Sequence, residues 1–182
     1  GAGFTPKNRP EKQRRWDRID QRIRDALLGC AGGDLPWPLL LVGGAGSGKT
    51  CAALAALDEW TGWYVELGEF CDLLNSARDG TLLWSSGYPR TTTELWSDWS
   101  QTSIGIIDEL GARTAVSDFQ FETLKRMLDR REERPLVLIS NEPIARLAKA
   151  YDDRIASRIA AGTVVECSGD RRVASRSKGS KA

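Results

Sequence analysis

Residues 43–50, Gly-Gly-Ala-Gly-Ser-Gly-Lys-Thr, constrain the fold of this 182-residue chain more than any other stretch. They match the pattern G-x-x-x-x-G-K-[ST]. An apolar run, Leu39–Val42, leads in, and an alanine- and leucine-rich stretch, residues 49–60, leads out. The order predicts a buried strand, a tight glycine turn and a buried helix, which is the context the pattern requires. Glycines accept positive φ, so successive N–H groups can turn inward as an anion nest. The amino end of the helix adds partial positive charge. Lys49 is long enough to reach the β- and γ-phosphates of a nucleotide. The Thr50 hydroxyl is a hard oxygen ligand suited to Mg2+. A plain glycine turn is the poorer alternative, given the strand before and the helix after.

Strand and helix alternate through the rest of the chain. Trp16, Ile19, Ile23 and Leu27 recur at helical spacing and predict an amphipathic helix from about Pro10 to Leu28, ended by Gly29, Gly32 and Gly33. Further strands are expected at Trp63–Leu67, Ile104–Ile107, Pro135–Ser140 and Thr163–Cys167. Helices are expected at Glu69–Ala77, Thr93–Trp99, Ser117–Arg134, Pro143–Ala150 and Asp153–Ala160, with Ser117 and Gln120 as a capping box. Residues 79–93 read as a loop. The alternation argues a parallel sheet with helices on both faces. The expected organisation is a basic segment and helix over 1–33, an α/β core over 34–170, and a basic, disordered tail over 171–182.

Composition narrows the function classes. Hydrophobic residues at 41% and charged residues at 28% are the balance of an ordinary globular protein. No stretch approaches the roughly 18 apolar residues of a membrane helix, so no membrane association is expected. The chain has no histidine, which removes every imidazole-based triad, metal site and acid–base mechanism. Cys30, Cys51, Cys71 and Cys167 form no CxxC pair, so reduced cytoplasmic thiols fit better than a zinc site or a disulfide framework. The sole methionine is Met127, so the chain is expected to be a piece of a longer protein, with Gly1–Gly3 as a cloning remnant. Residues 1–25 and 170–182 each carry a net charge of +4 around an acidic body. Such ends suit nucleic acid phosphates or an acidic partner, and equally a solvated helix and a frayed tail.

Three further places carry chemistry. Ile104–Ile107 runs into Asp108 and Glu109. The carboxyl ends of parallel strands face the nucleotide. There Asp108 can hold the Mg2+ shell and Glu109 can activate water as a general base. Two solvated carboxylates are the alternative. Val137–Ile139 runs into Ser140 and Asn141; Asn141 can bond a γ-phosphate or the attacking water, or cap the helix after Pro143. Arg154 and Arg158 lie four residues apart on one helix face, suited to charge stabilisation in trans or to ion pairs with Asp152 or Asp153.

Taken together, LLLVGGAGSGKT, IGIIDELGART, PLVLISNEP, YDDRIASRI and GTVVECSGDRR resemble the AAA+ ATPases of the DnaC/DnaI-type helicase loader and IstB-like clade, over about residues 36–172. The resemblance implies a three-layer P-loop NTPase with a five-stranded parallel sheet in the order 5-1-4-3-2 and no separate helical lid. It implies Mg2+-dependent ATP hydrolysis, with Gly43, Gly44, Ala45, Gly46, Ser47, Gly48, Lys49 and Thr50, followed by Cys51, at the nucleotide. Thr50 and Asp108 would hold the metal. Glu109 would be the catalytic base and Asn141 the sensor 1 residue. Arg158 would be an arginine finger with Arg154 beside it, and Arg172 a sensor-2-like arginine. Family members often carry Asp-Asp where this chain has Asp108-Glu109. The resemblance also implies a cytoplasmic, ATP-dependent oligomer acting on single-stranded DNA, with a replicative helicase or a transposase as partner.

Weaker signals stand beside these. Trp84, Tyr88, Arg90, Trp96 and Trp99 form either a base-stacking surface or, better, a local apolar cluster. Lys125, Arg126, Arg130, Arg131 and Arg134 read as a solvated helix face or a subunit contact. Trp37 reads as an adenine-pocket residue or as core. A small-molecule kinase and a nucleotide-gated binding module without turnover are the competing functions. Against the first stands the lack of an arginine-rich lid; against the second stands Glu109.

Overall fold

A computed structural model of the chain describes residues 15–111 and 116–168. The expected disordered ends and Arg172 lie outside the described residues. Numbered in chain order, the strands are β1 (Leu39–Val42), β2 (Gly62–Glu66), β3 (Ile104–Asp108), β4 (Leu136–Ser140) and β5 (Thr163–Glu166). The helices are α1 (Gln21–Gly32), α2 (Lys49–Glu59), α3 (Leu67–Arg78), α4 (Thr92–Gln101), α5 (Asp118–Asp129), α6 (Ile144–Ala150) and α7 (Asp153–Ala160). All strand pairs are parallel, in the order β2-β3-β4-β1-β5. Read from the other edge this is the expected 5-1-4-3-2. Among the described residues no helical lid is appended to the sheet.

The central strands are apolar up to their carboxyl ends because both of their faces are covered. Leu39 and Leu41 of β1, Ile104 and Ile106 of β3, and Val137 and Ile139 of β4 face one way. There they meet α1 (Ile23, Leu27) and α2 (Ala52, Ala53, Ala55, Ala56). Leu40 and Val42, Ile107, and Leu136 and Leu138 face the other way, into Phe70, Trp99, Leu124, Leu147 and Ile159 from α3–α7. The alternation is the period-2 geometry of a strand. The alanines of α2 allow that helix to lie close to the sheet.

Local chemistry moves several expected boundaries. The amphipathic pattern before β1 is real, and Trp16, Ile19, Ile23 and Leu27 are all buried. It is broken at Asp20, whose carboxylate accepts the Arg22 N–H and starts α1 afresh. The helix then runs through Gly29 and stops only where Gly33 turns left-handed. Thr91 and Glu94 form a capping box that sets the start of α4, and the expected box of Ser117 and Gln120 is present at α5. Helix α5 ends at Asp129, earlier than the expected Arg134.

The cationic set on α5 and beyond is not one face. Arg131 is buried, at 2% exposure. Its guanidinium donates to the carbonyl of Trp99, in the last turn of α4, and to those of Thr102, Ser103 and Pro135, which lie just before β3 and β4. Arg126 and Arg130 lie over the ring of Trp96 at 4.4 and 5.5 Å. Trp96 and Trp99 are core residues, with the Trp99 indole N–H donating to the Met127 carbonyl at 3.1 Å. Trp37 lines a small apolar cleft with Trp60, Ile104 and Pro135 at the amino end of the sheet, away from the glycine loop.

Candidate nucleotide site

The glycine loop leaves β1 at the carboxyl edge of the sheet. Gly43 follows Val42 and donates its N–H to the Ser140 carbonyl at 3.2 Å. A Cβ there would sit 2.1 Å from the Cys167 carbonyl oxygen, so only glycine lets β1, β4 and the end of β5 converge. Gly48, at a φ of 91°, holds the N-cap position of α2 and offers no side-chain bond to the helix's first N–H groups. Those donors are therefore left for an anion, the arrangement expected of a phosphate-binding helix terminus.

Lys49 begins α2 and is only 5% exposed. Its ammonium donates to the Gly43 and Gly44 carbonyls at 2.6 and 2.9 Å and to the Ser47 hydroxyl at 3.2 Å. Burial pulls its pKa below the ordinary lysine value, against the opposing pull of Cys167 and the Asp108 carboxylate.

The next residue connects the loop to β3. Thr50 Oγ1 donates to Asp108 Oδ2 at 3.0 Å, and the Tyr64 hydroxyl donates to the same oxygen at 2.7 Å. Asp108 Oδ1 accepts the Glu109 N–H at 2.7 Å. Glu109 takes a φ of 57° and is exposed. The left-handed turn lets the chain leave β3 with one carboxylate held inward and the next free. Burial and the charges of Glu109, Asp108 and Glu69 raise the pKa of Glu66, at the end of the neighbouring strand. Burial and the bond to Asp108 raise that of Tyr64.

Asn141 is exposed and follows Ser140, which pairs in register with Val42. This places it beside the first glycine of the loop. It does not cap the following helix: the N-cap of α6 is Pro143, with no side-chain bond. Ser140 makes the local turn instead, accepting the Glu142 N–H at 2.9 Å and donating to the Glu142 carbonyl at 2.7 Å.

Lys49, Thr50, Asp108, Glu109 and Asn141 thus share one edge of the sheet, and Cys51 follows as an exposed residue of α2. Arg158 is elsewhere: it pairs with Asp129 and Glu132 around the end of α5, not with Asp152 or Asp153. Asp152 instead caps α7, accepting the Ile155 N–H at 2.7 Å. Arg154 is exposed on the same helix. Tyr64 is the site residue that sequence reasoning missed; its only signal is its place near the end of an edge strand.

Oxygen donors alone meet at Thr50 and Asp108. Among the described residues no group of three or more acidic or cysteine side chains could hold a metal by itself. That suits Mg2+, which keeps several waters and is shared with phosphates. Among the described residues no helix is long and apolar enough to cross a membrane.

No protein-family model matches the sequence, and no curated protein matches it. Solved structures do match the fold. The DnaC helicase loader aligns over 91% of this chain and 94% of its own, at a TM-score of 0.63 and 19% identity. DnaI aligns over 93% of this chain and 95% of its own, at a TM-score of 0.60 and 22% identity. AMPPCP-bound DnaA from Aquifex aeolicus aligns over 87% of this chain and 50% of its own, at a TM-score of 0.67 and 19% identity. The chain therefore spans about half the length of that replication initiator. At these identities the likeness is one of fold: the chain shares the fold of the DnaC helicase loader and of DnaI.

Proposed function

We propose that the chain binds ATP with Mg2+ at Gly43–Thr50, hydrolyses it, and acts as an oligomer on single-stranded DNA as a replication accessory protein of the helicase-loader kind. The observation that carries this reading is the 3.0 Å hydrogen bond from Thr50 to Asp108, which joins the glycine loop to the acidic strand end. By donating its proton to Asp108, Thr50 keeps its lone pairs for a cation. The α2 terminus and Lys49 take the phosphates, the ammonium exchanging carbonyl oxygens for phosphate oxygens. Bound Mg2+ supplies neutralisation of the developing phosphate charge. The free Glu109 carboxylate accepts the proton of the attacking water, and the Asn141 amide orients that water or the γ-phosphate.

Arg158 serves a neighbouring subunit's nucleotide, with Arg154 one helical turn away at the same boundary. To do so it leaves Asp129 and Glu132. A surface pair is worth at most about 1 kcal/mol, whereas a trans arginine contributes roughly 10³–10⁵ in rate, so the pairing is no obstacle. Arg172 is assigned to the nucleotide as well. Tyr88, at 73% exposure on the turn where Leu83 bridges Pro89, is the aromatic side chain available to stack on a base.

The test is turnover and particle mass measured with ATP, Mg2+ and single-stranded DNA. Glu109→Gln is expected to keep ATP binding and to lose about 10²–10⁴ in turnover. A variant as active as the parent removes Glu109 as the base. A chain that stays monomeric and phosphorylates a small acceptor is a kinase instead.

A further inference from the structure

Tyr64 is not accounted for by the nucleotide chemistry above, yet its hydroxyl reaches the centre of the site. It sits on β2, the edge strand, opposite Ile106 of β3 and one diagonal step from Asp108. Its ring packs against the cluster that includes Ile106 and the alanines of α2. From that anchored ring the hydroxyl donates to Asp108 Oδ2 at 2.7 Å, shorter than the 3.0 Å bond from Thr50 to the same oxygen.

An aspartate cannot fix the plane of its own carboxylate. The torsion that turns the carboxylate is an sp³–sp² rotation, broad and roughly two-fold. The Glu109 N–H holds Oδ1, and two hydroxyls hold Oδ2. Thr50 is the weaker constraint of the two, because a threonine hydroxyl turns freely and its oxygen is also the atom a cation would use. The phenol is carried on a packed ring and has no second task. It can therefore keep the carboxylate plane constant whether or not Thr50 is engaged with metal.

We propose that Tyr64 is a positioning residue for the divalent-cation site, holding the Asp108 carboxylate in the plane that receives the cation's water shell. This rests on the reading of the site as a Mg2+–nucleotide site. Removing the donor has two opposite consequences. It frees the carboxylate to rotate, which weakens cation binding. It also leaves the oxygen with one fewer donor occupying its lone pairs, which strengthens binding. The proposal requires the first to dominate.

The experiment is a Mn2+ titration of the full chain by electron paramagnetic resonance, in the presence of a non-hydrolysable ATP analogue. Tyr64→Phe keeps the ring and removes only the hydroxyl. It is expected to raise the Mn2+ concentration at half-saturation roughly five- to tenfold. Analogue binding measured in chelator is expected to stay the same, as is the far-ultraviolet spectrum. In ATP hydrolysis the Mg2+ dependence is expected to shift by the same factor, with kcat at saturating Mg2+ largely recovered. Unchanged or tighter Mn2+ binding in Tyr64→Phe overturns the proposal. So does an equal loss of analogue binding with and without metal, which would make the tyrosine structural. If the unaltered chain binds no Mn2+ with the analogue, the nucleotide-site reading itself falls.

Discussion

Lys49 and Arg131 are the two buried cations among the described residues, and they lie at opposite ends of the sheet. Lys49 bonds to carbonyls and a hydroxyl of its own loop, no more than six residues away. Arg131 bonds to carbonyls 28–32 residues away, at the end of α4 and the entry to β3, and to Pro135 at the entry to β4. The lysine closes a short local loop, which on the proposed reading opens around an anion. The arginine joins segments that cannot separate without unfolding. Burial of charge is common to both; what separates the two cations is how far along the chain their partners lie.

Arg158 extends the contrast, since its proposed work lies outside its own chain, and it gives the largest expected effect. Arg158→Ala should lower turnover by about 10³–10⁵, or roughly 4–7 kcal/mol, while ATP affinity and unfolding midpoint stay near the parent's. Mixed with Lys49→Ala, it should regain activity, because each chain retains what the other lacks. Failure to recover in mixtures that demonstrably co-assemble would return Arg158 to the role of a surface ion-pair partner.

The comparison of the two buried cations is broken or kept by urea unfolding. Arg131→Met should lose about 3–5 kcal/mol of stability, because four carbonyls lose their donor together. Lys49→Ala should change stability by no more than about 1 kcal/mol, because its loop carbonyls are reached by water, while nucleotide binding falls strongly. Similar stability losses in the two variants would show that the ends of the sheet do not differ in this way.

What the sequence made legible follows the same division. The glycine loop, Asp108 and Glu109 are legible because strand, turn and carboxylates are contiguous, and local order fixes their geometry. The capping box at Ser117 is legible for the same reason. Tyr64, most of the carbonyl nest of Arg131 and the partners of Arg158 are not, because those contacts join segments far apart in the chain, 44 residues for Tyr64 and Asp108, 32 for Arg131 and Trp99, and 29 for Arg158 and Asp129. No periodicity encodes those contacts. The break at Asp20 lies between: its cap is local, but the apolar spacing runs straight across it and predicts one helix. Asn141 errs the other way, since Ser140, one residue earlier, takes the hydrogen bonds of the turn.

The smallest expected effect belongs to the acidic edge. The folded chain holds the Glu66 proton to higher pH than the unfolded chain does, so stability falls as pH rises through that window. Glu66→Gln should therefore raise the unfolding midpoint slightly at neutral pH, by less than about 1 kcal/mol after solvent screening. The gain should fade in acid, where the carboxyl is protonated, and shrink when Mg2+ and nucleotide neutralise the same carboxylates. A gain that persists unchanged in acid would trace the effect to something other than charge.

Glu109 adopts a left-handed backbone that glycine takes freely and that costs most other residues about 1–2 kcal/mol. A population of variants selected only for resistance to heat would therefore drift toward glycine at this position, and would fold better as it did so. On the proposed reading of Glu109 as the base, such a population would lose turnover as it gained stability. With Glu109 as the proposed base, selection for heat resistance and selection for turnover pull in opposite directions at this one residue, and glycine at position 109 in a heat-selected lineage would mark a chain that had kept its fold and given up its carboxylate.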